Sequence, residues 1–200
     1  MARIVVEGPI GVGKTSLTHA LAESLDAKTV LEVVEDNPFL ARFYDDPERH
    51  SFSVQAFFLV SRFKQAQELN QGFLFERHVV SDYMFDKDWI FASLNLKGDE
   101  WALYEDLYLQ LRPKLTPPDL TVYLRADIDL LLKRIAMRDR PFERSIDPAY
   151  LERLCTSYDA YFESHSGPLH VIEASSVDFV ASRRDRDAVL ADVLKLAKVA

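Results

Sequence analysis

Gly8-Pro9-Ile10-Gly11-Val12-Gly13-Lys14-Thr15 is the stretch whose reading decides the fold. It fits Gly-x-x-x-x-Gly-Lys-Ser/Thr, a loop whose glycines let backbone N–H groups approach a polyphosphate. Its lysine adds charge near the β and γ phosphates, and its hydroxyl can reach Mg²⁺. At ordinary residue usage a chain of this length matches that pattern by accident about once in a hundred. The flanks agree: the apolar run Ile4-Val5-Val6 precedes the loop, and Leu17, Leu21 and Leu25 repeat on one helical face after it. Gly8, Pro9, Ile10, Gly11, Val12, Gly13, Lys14, Thr15 and Ser16 are therefore the candidate triphosphate-binding residues.

Other apolar runs of strand length lie at Thr29 to Val34, His78 to Ser81, Leu120 to Leu124 and Leu169 to Ile172. Helical patterns over Phe52 to Leu69 and Ile128 to Met137 separate them. This alternation predicts an α/β fold of the P-loop NTPase type, a parallel five-stranded sheet flanked by helices. Asp46-Pro47 can start a helix, Pro117-Pro118 ends one, Arg140-Pro141 interrupts another, and Gly167-Pro168 turns into the last strand. Residues 1–200 read as a single domain, since 48% hydrophobic content supports one core and no linker composition divides it. The helix-rich stretch from Phe39 to Leu115 is long for one crossover and points to packing against a second copy.

The balance of 24 basic and 32 acidic residues, a net charge of −8, argues against a nucleic-acid partner. Ser51 to Ser61, the longest uncharged stretch near the middle, is far short of the ~20 residues that span a bilayer, so no membrane association is expected. The N-terminus has no charged leader or cleavage site, and the expected location is the cytoplasm. Cys155 is alone and the five histidines lack metal-ligand spacing, which leaves neither disulfide nor zinc chemistry to invoke.

In an open α/β sheet, ligands lie beyond the carboxyl ends of the strands. Glu32 falls inside the apolar segment of the second predicted strand, where a carboxylate is costly without a partner. Asp82 directly follows the third, the place from which an acid reaches Mg²⁺ beside a phosphate loop. The bland alternatives are an edge-strand carboxylate facing solvent and a helix cap. On one helix, Gln55 and Arg62 would stand about 20° apart on a shared face and roughly 10 Å apart in height. Arg suits guanine O6/N7 and Gln suits adenine N6/N7, with Phe52, Phe57, Phe58 and Phe63 around them. A core helix with two tolerated polar positions is the competing account. Arg134, Arg138 and Arg140 form a basic segment suited to transferred phosphate, or else a solvated face. No Asn-Lys-x-Asp stretch follows a strand, since Asp86-Lys87-Asp88 lacks the Asn, so a guanine-nucleotide switch loses ground.

Taken in order, these pieces resemble the deoxynucleoside kinase family, nearly end to end. Besides the phosphate loop, the resemblance rests on Glu32-Val33-Val34-Glu35-Asp36-Asn37-Pro38-Phe39-Leu40, Phe43-Tyr44 with Asp46-Pro47, and Phe52-Ser53-Val54-Gln55 through Arg62-Phe63-Lys64-Gln65. It continues in Ser81-Asp82, Arg134 to Arg140 with Glu143, and Asp178-Phe179-Val180. It implies Glu32 as general base for a nucleoside 5′-hydroxyl, Tyr44 and Glu143 on the 3′-hydroxyl, and Gln55 and Arg62 on the base. It further implies Thr15 and Asp82 on Mg²⁺, and Arg134, Arg138 and Arg140 on phosphate within an arginine-rich lid of about residues 134–146. ATP and Mg²⁺ are the implied cofactors, a deoxynucleoside the acceptor, and a homodimer the assembly.

One departure stands out: Asp82-Tyr83-Met84 has Tyr83 where the family usually has an arginine, and Lys87 is the nearest replacement charge. Among acceptors, a purine is expected, with deoxyguanosine ahead of deoxyadenosine, because Asp86 or Asp88 could accept from guanine N1–H or its amino group. The alternatives are deoxycytidine kinase activity, a nucleoside monophosphate kinase similar to thymidylate kinase, and a nucleotide-binding subunit without turnover.

Overall fold

The computed structural model describes residues 2–32, 34, 36–72, 78–144 and 146–198, with backbone only at 69–72 and 142. Val33 and Glu35 of the motif after Glu32, and Ser145 of the lid, lie outside the described residues.

Five parallel strands form one sheet in the order β2-β3-β1-β4-β5. They are β1 (Ala2–Glu7), β2 (Lys28–Val30), β3 (His78–Ser81), β4 (Leu120–Arg125) and β5 (Leu169–Glu173). Central β1 is almost wholly buried, as an apolar strand with neighbours on both edges must be. Its register sets Ile4 opposite both Val80 and Leu120. Helices flank the sheet: α1 (Lys14–Leu25), α2 (Leu40–Asp45), α3 (Pro47–Gly72), α4 (Lys87–Asn95), α5 (Gly98–Leu111), α6 (Ile128–Arg138), α7 (Pro148–Glu163) and α8 (Arg183–Leu196). Leu17 and Leu21 are fully buried on α1, which packs on β1 and β3, each contributing about 1.5–3 kcal/mol. Leu131 of α6 and Leu151, Leu154 and Tyr158 of α7 complete that core. Two smaller clusters, Leu59 with Phe85, Tyr104 and Tyr108, and Leu40 with Phe43, Val54 and Phe58, tie α2 through α5 together.

The second strand is shorter than its apolar run predicts, ending at Val30 rather than Val34. Its neighbour β3 stops at Ser81, opposite Val30, and the last backbone bond between the two is the Asp82 N–H donating to the Val30 carbonyl at 3.2 Å. The Asp82 side chain takes over, its Oδ1 accepting the Glu32 N–H at 2.8 Å. Glu32 therefore stands beyond the carboxyl end of β2 and not within it, which places it where ligands of such sheets bind.

Candidate active site

The loop between β1 and α1 needs its glycines. Gly8 has φ +152°, and a Cβ there would lie 2.4 Å from the Leu124 carbonyl oxygen; at Gly11, φ +84°, it would lie 2.9 Å from Ile135 Cγ1. Lys14 folds back over the loop, its Nζ donating to the carbonyls of Gly8 (2.8 Å) and Pro9 (3.0 Å). Burial, and then the nearby charge of Lys87, push the Lys14 ammonium down to about 8, an effect that bound phosphate would oppose. Ser16 is exposed in the first turn of α1.

Thr15 Oγ1 donates to Asp82 Oδ2 at 2.6 Å, so the hydroxyl and the carboxylate are adjacent. Both are hard oxygen donors of the kind Mg²⁺ takes. Among the described residues no three His, Cys, Asp or Glu side chains gather as a metal cage. A cation here would complete its shell with phosphate oxygens and water, as Mg²⁺ commonly does.

On the other side of Asp82, four charged side chains interlock. Glu32 Oε1 accepts from Arg62 through Nε (3.0 Å) and Nη2, and Glu32 Oε2 accepts from Lys87 Nζ at 2.6 Å. Arg62 also donates through Nη1 to Asp88 and lies 4.6 Å above the Phe58 ring centre. Gln55 and Arg62 are both buried on α3, two turns apart. Burial alone would raise the Glu32 carboxyl, but Arg62 and Lys87 outweigh it and hold it well below the usual range. Asp88 goes the other way, since burial pushes it up to about 7 against the pull of Arg62. Gln55 Oε1 and Asp88 Oδ2 are buried with no hydrogen-bond partner among the described residues.

Asp86 does not join this cluster, contrary to one of the two assignments the sequence left open. Its carboxylate accepts from Tyr108 OH and Arg112 Nε instead. Two helical residues rotate by about 200°, so Asp86 and Asp88, at the start of α4, point to opposite sides. Asp88 is the acid that meets Arg62.

The three basic side chains before and after the α6 terminus are held in place by the protein. Arg134 Nη1 donates to the Val12 carbonyl of the phosphate loop at 2.8 Å. Arg138 makes a two-pronged pair with buried Glu143, its Nε 3.1 Å from Oε2, while Arg140 Nη1 stands 3.7 Å from Oε1. Helix α2 packs on the 3-10 turn Pro141–Glu143, which brings Tyr44 near Glu143 and Arg138. Burial, with Tyr150 and Glu143 nearby, raises the Tyr44 hydroxyl far above its ordinary value. Phe179 lies against Gly13, so Asp178-Phe179-Val180 borders the loop too.

Four residues were undervalued by sequence reasoning. Glu7, fully buried at the end of β1, accepts from Gly8 N (2.9 Å), Tyr158 OH (3.0 Å) and Met84 N (3.0 Å), and so joins the phosphate loop to the segment after Asp82. A lone acid ending an apolar strand was its signal. Tyr83 turns its hydroxyl to Gln65 Oε1 at 2.6 Å. Lys87 and Asp88 sit among Phe85, Trp89, Ile90 and Phe91, an apolar setting that marks charges destined for burial. A cavity of about 570 Å³ is lined by Tyr44, Asn95 and Tyr150 among others, whereas Glu32, Gln55 and Arg62 do not line it.

The family described as Deoxynucleoside kinase matches residues 4–198 of this chain. A deoxyguanosine kinase of Bacillus subtilis (strain 168) is 35% identical over 199 residues, covering 96% of each chain. A deoxyadenosine kinase of Lactobacillus acidophilus is 34% identical over 206 residues, covering 95% of this chain and 94% of that one. Among solved structures, a deoxyadenosine kinase from M. mycoides with bound dATP superposes with a TM-score of 0.84 over 96% of this chain and 99% of its own, at 22% identity. That last likeness bears on the fold.

Proposed function

The chain belongs to the deoxynucleoside kinase family, and from that premise we propose that it transfers the γ-phosphoryl group of ATP to the 5′-hydroxyl of a purine deoxynucleoside, deoxyguanosine ahead of deoxyadenosine. The observation that carries the choice of base is two buried acceptors without a partner among the described residues, Gln55 Oε1 and Asp88 Oδ2, the second on the carboxylate that Arg62 holds. A buried acceptor without a donor costs about 1–3 kcal/mol, so the site favours a ligand that brings donors. Guanine has N1–H and N2–H₂ side by side on one edge, together with O6 and N7 for Arg62; adenine has one amino group. Donors from the ligand would also favour the ionised form of Asp88, which burial otherwise disfavours.

In this reading Glu32 receives the 5′-hydroxyl proton as the new P–O bond forms and the bond from the γ phosphorus to the leaving oxygen of ADP breaks. Tyr44 and Glu143 hold the 3′-hydroxyl. Arg134, Arg138 and Arg140 move from the Val12 carbonyl and Glu143 onto phosphate, where planar donors meet spreading charge. Lys14 and the loop amides cradle the β and γ phosphates, while Thr15 and Asp82 would hold Mg²⁺, which would supply charge neutralisation for the phosphates. Most of the acceleration then comes from positioning and charge stabilisation.

Val60 of α3 and Leu103 and Leu107 of α5 are each roughly half exposed on adjoining helices, an apolar strip suited to a second copy of the chain. It supports a homodimer, and sedimentation at micromolar concentration checks it: a purely monomeric species rejects the dimer. Among the described residues no helix is long and apolar enough to cross a membrane.

The substrate is tested with the four deoxynucleosides and ATP, following ADP release. Deoxyguanosine should give the highest kcat/KM; turnover of pyrimidines alone would refute the purine assignment, and binding of ATP with no turnover of any would refute catalysis.

A further inference from the structure

Arg62 is asked to do several things at once. It grips Glu32 through Nε and Nη2 and Asp88 through Nη1, and in the reading above it also meets the nucleobase. Any shift of its guanidinium towards a base loosens its hold on Glu32 Oε1. Lys87 has no such divided duty. Its ammonium is 2.6 Å from Glu32 Oε2, and Glu32 is the carboxylate it pairs with among the described residues.

Lys87 is also unusually fixed for a lysine. It is 5% exposed, opens α4 with its N–H donating to the Met84 carbonyl at 3.2 Å, and carries its ammonium 5.6 Å from the Phe91 ring centre one turn on. A surface lysine is a flexible, strongly hydrated charge; this one has been stripped of most of its water and of its rotamer freedom. Desolvating an ammonium is expensive, and a short contact with one carboxylate is what offsets it. Tyr83, four residues earlier, spends its hydroxyl on Gln65 and supplies no cation to Glu32.

We propose that Lys87 is a positioning residue for phosphoryl transfer: it pins Oε2 of Glu32, so that Oε1 is presented to the acceptor hydroxyl when Arg62 turns to the base. The inference rests on Glu32 being the general base. Lys87 touches neither phosphate nor acceptor in this account; it acts through Glu32.

A purely structural counter-ion predicts a different pattern, and a double-mutant cycle separates the two. With deoxyguanosine and ATP, Lys87→Met in the parent chain should lower kcat by roughly 10- to 30-fold while the nucleoside KM stays within about threefold, the pattern of an interaction that matters in the transition state. In a Glu32→Gln background the same change should alter kcat by less than about twofold, because the group it acts through is gone. Lys87→Gln is carried through the same cycle, so that a Met variant that fails to melt cooperatively leaves the comparison intact. Lys87→Arg, which keeps the charge, should recover most of the rate. A kcat within twofold of the parent for the uncharged variants, or an equal fold-loss in both backgrounds, overturns the proposal and leaves Glu32 as base. Near-parental turnover by Glu32→Gln alone sinks the base assignment itself, and Lys87's role with it.

Discussion

Around the phosphate loop the protein works mainly with main chain. Gly8, Gly11 and Gly13 give the loop backbone its positive-φ turns, Lys14 rests on two backbone carbonyls, and Arg134 leans on a third. On the acceptor side it works with side chains drawn from separate segments: Glu32 after β2, Gln55 and Arg62 from α3, Lys87 and Asp88 from α4. A main-chain site needs glycine at fixed spacing and tolerates variety elsewhere. A side-chain site needs particular charges that cancel in a dry interior, where removing one leaves another uncompensated. The two should therefore fail differently.

The largest effect should come from the phosphate side. Lys14→Ala removes its side-chain cation, and kcat/KM for ATP should fall by about 10³-fold, the upper range for loss of one transition-state donor. Steady-state kinetics with varied ATP reads this directly, and a drop of less than tenfold would mean that the amides suffice. Glu32→Gln is next: kcat should fall by about 10²-fold, with nucleoside binding largely kept, as expected for loss of a general base. Isothermal titration with deoxyguanosine checks the second half of that claim.

Arg62→Lys keeps the charge and gives up the planar fork. It should raise the deoxyguanosine KM and narrow its lead over deoxyadenosine by about 1–2 kcal/mol, or roughly tenfold, since a lost bidentate base contact is worth that much. Unchanged discrimination in the substrate panel would move base reading away from Arg62.

The contrast also explains what was legible in the sequence. A main-chain site occupies one contiguous stretch, so spacing alone exposed Gly8 to Thr15, and strand, loop and helix followed where such a loop demands them. Glu32 and Asp82 were visible as acids near strand ends, but the offset of Glu32 beyond β2 depends on β3 stopping at Ser81, a tertiary fact. The Gln55 and Arg62 face was legible from helical period, whereas the choice between Asp86 and Asp88 was not. That choice turns on where α4 begins and which way its first turn faces, and helix boundaries are among the least readable features of a sequence. Lys87 had no signal of its own beyond an apolar neighbourhood; its partner lies 55 residues away.

Glu7 is where the two regimes meet. One of its oxygens takes the Gly8 amide and Tyr158 OH, the other the Met84 amide, so one buried carboxylate links the phosphate loop to the segment that delivers Asp82, Lys87 and Asp88. Burial pushes its carboxyl up, with the charges of Lys87 and Lys14 pulling back, and the hydroxyl of Tyr158 is one of three donors that satisfy it. Tyr158→Phe deletes that donor without changing the aromatic packing on Tyr123 and Phe162. The loss of one buried hydrogen bond to a carboxylate should cost about 1.5–3 kcal/mol, since its amide donors remain. At roughly 2–4 °C per kcal/mol for a chain of this size, the melting temperature should fall by about 3–12 °C. Turnover at 25 °C should stay within about twofold, because both amides still fix the two loops relative to each other. A calorimetric melt paired with kcat decides it. A large loss of turnover at unchanged stability would mean that Tyr158 tunes how the two sides of the site are set against each other, and that the main-chain half depends on the side-chain half more closely than their separate construction implies.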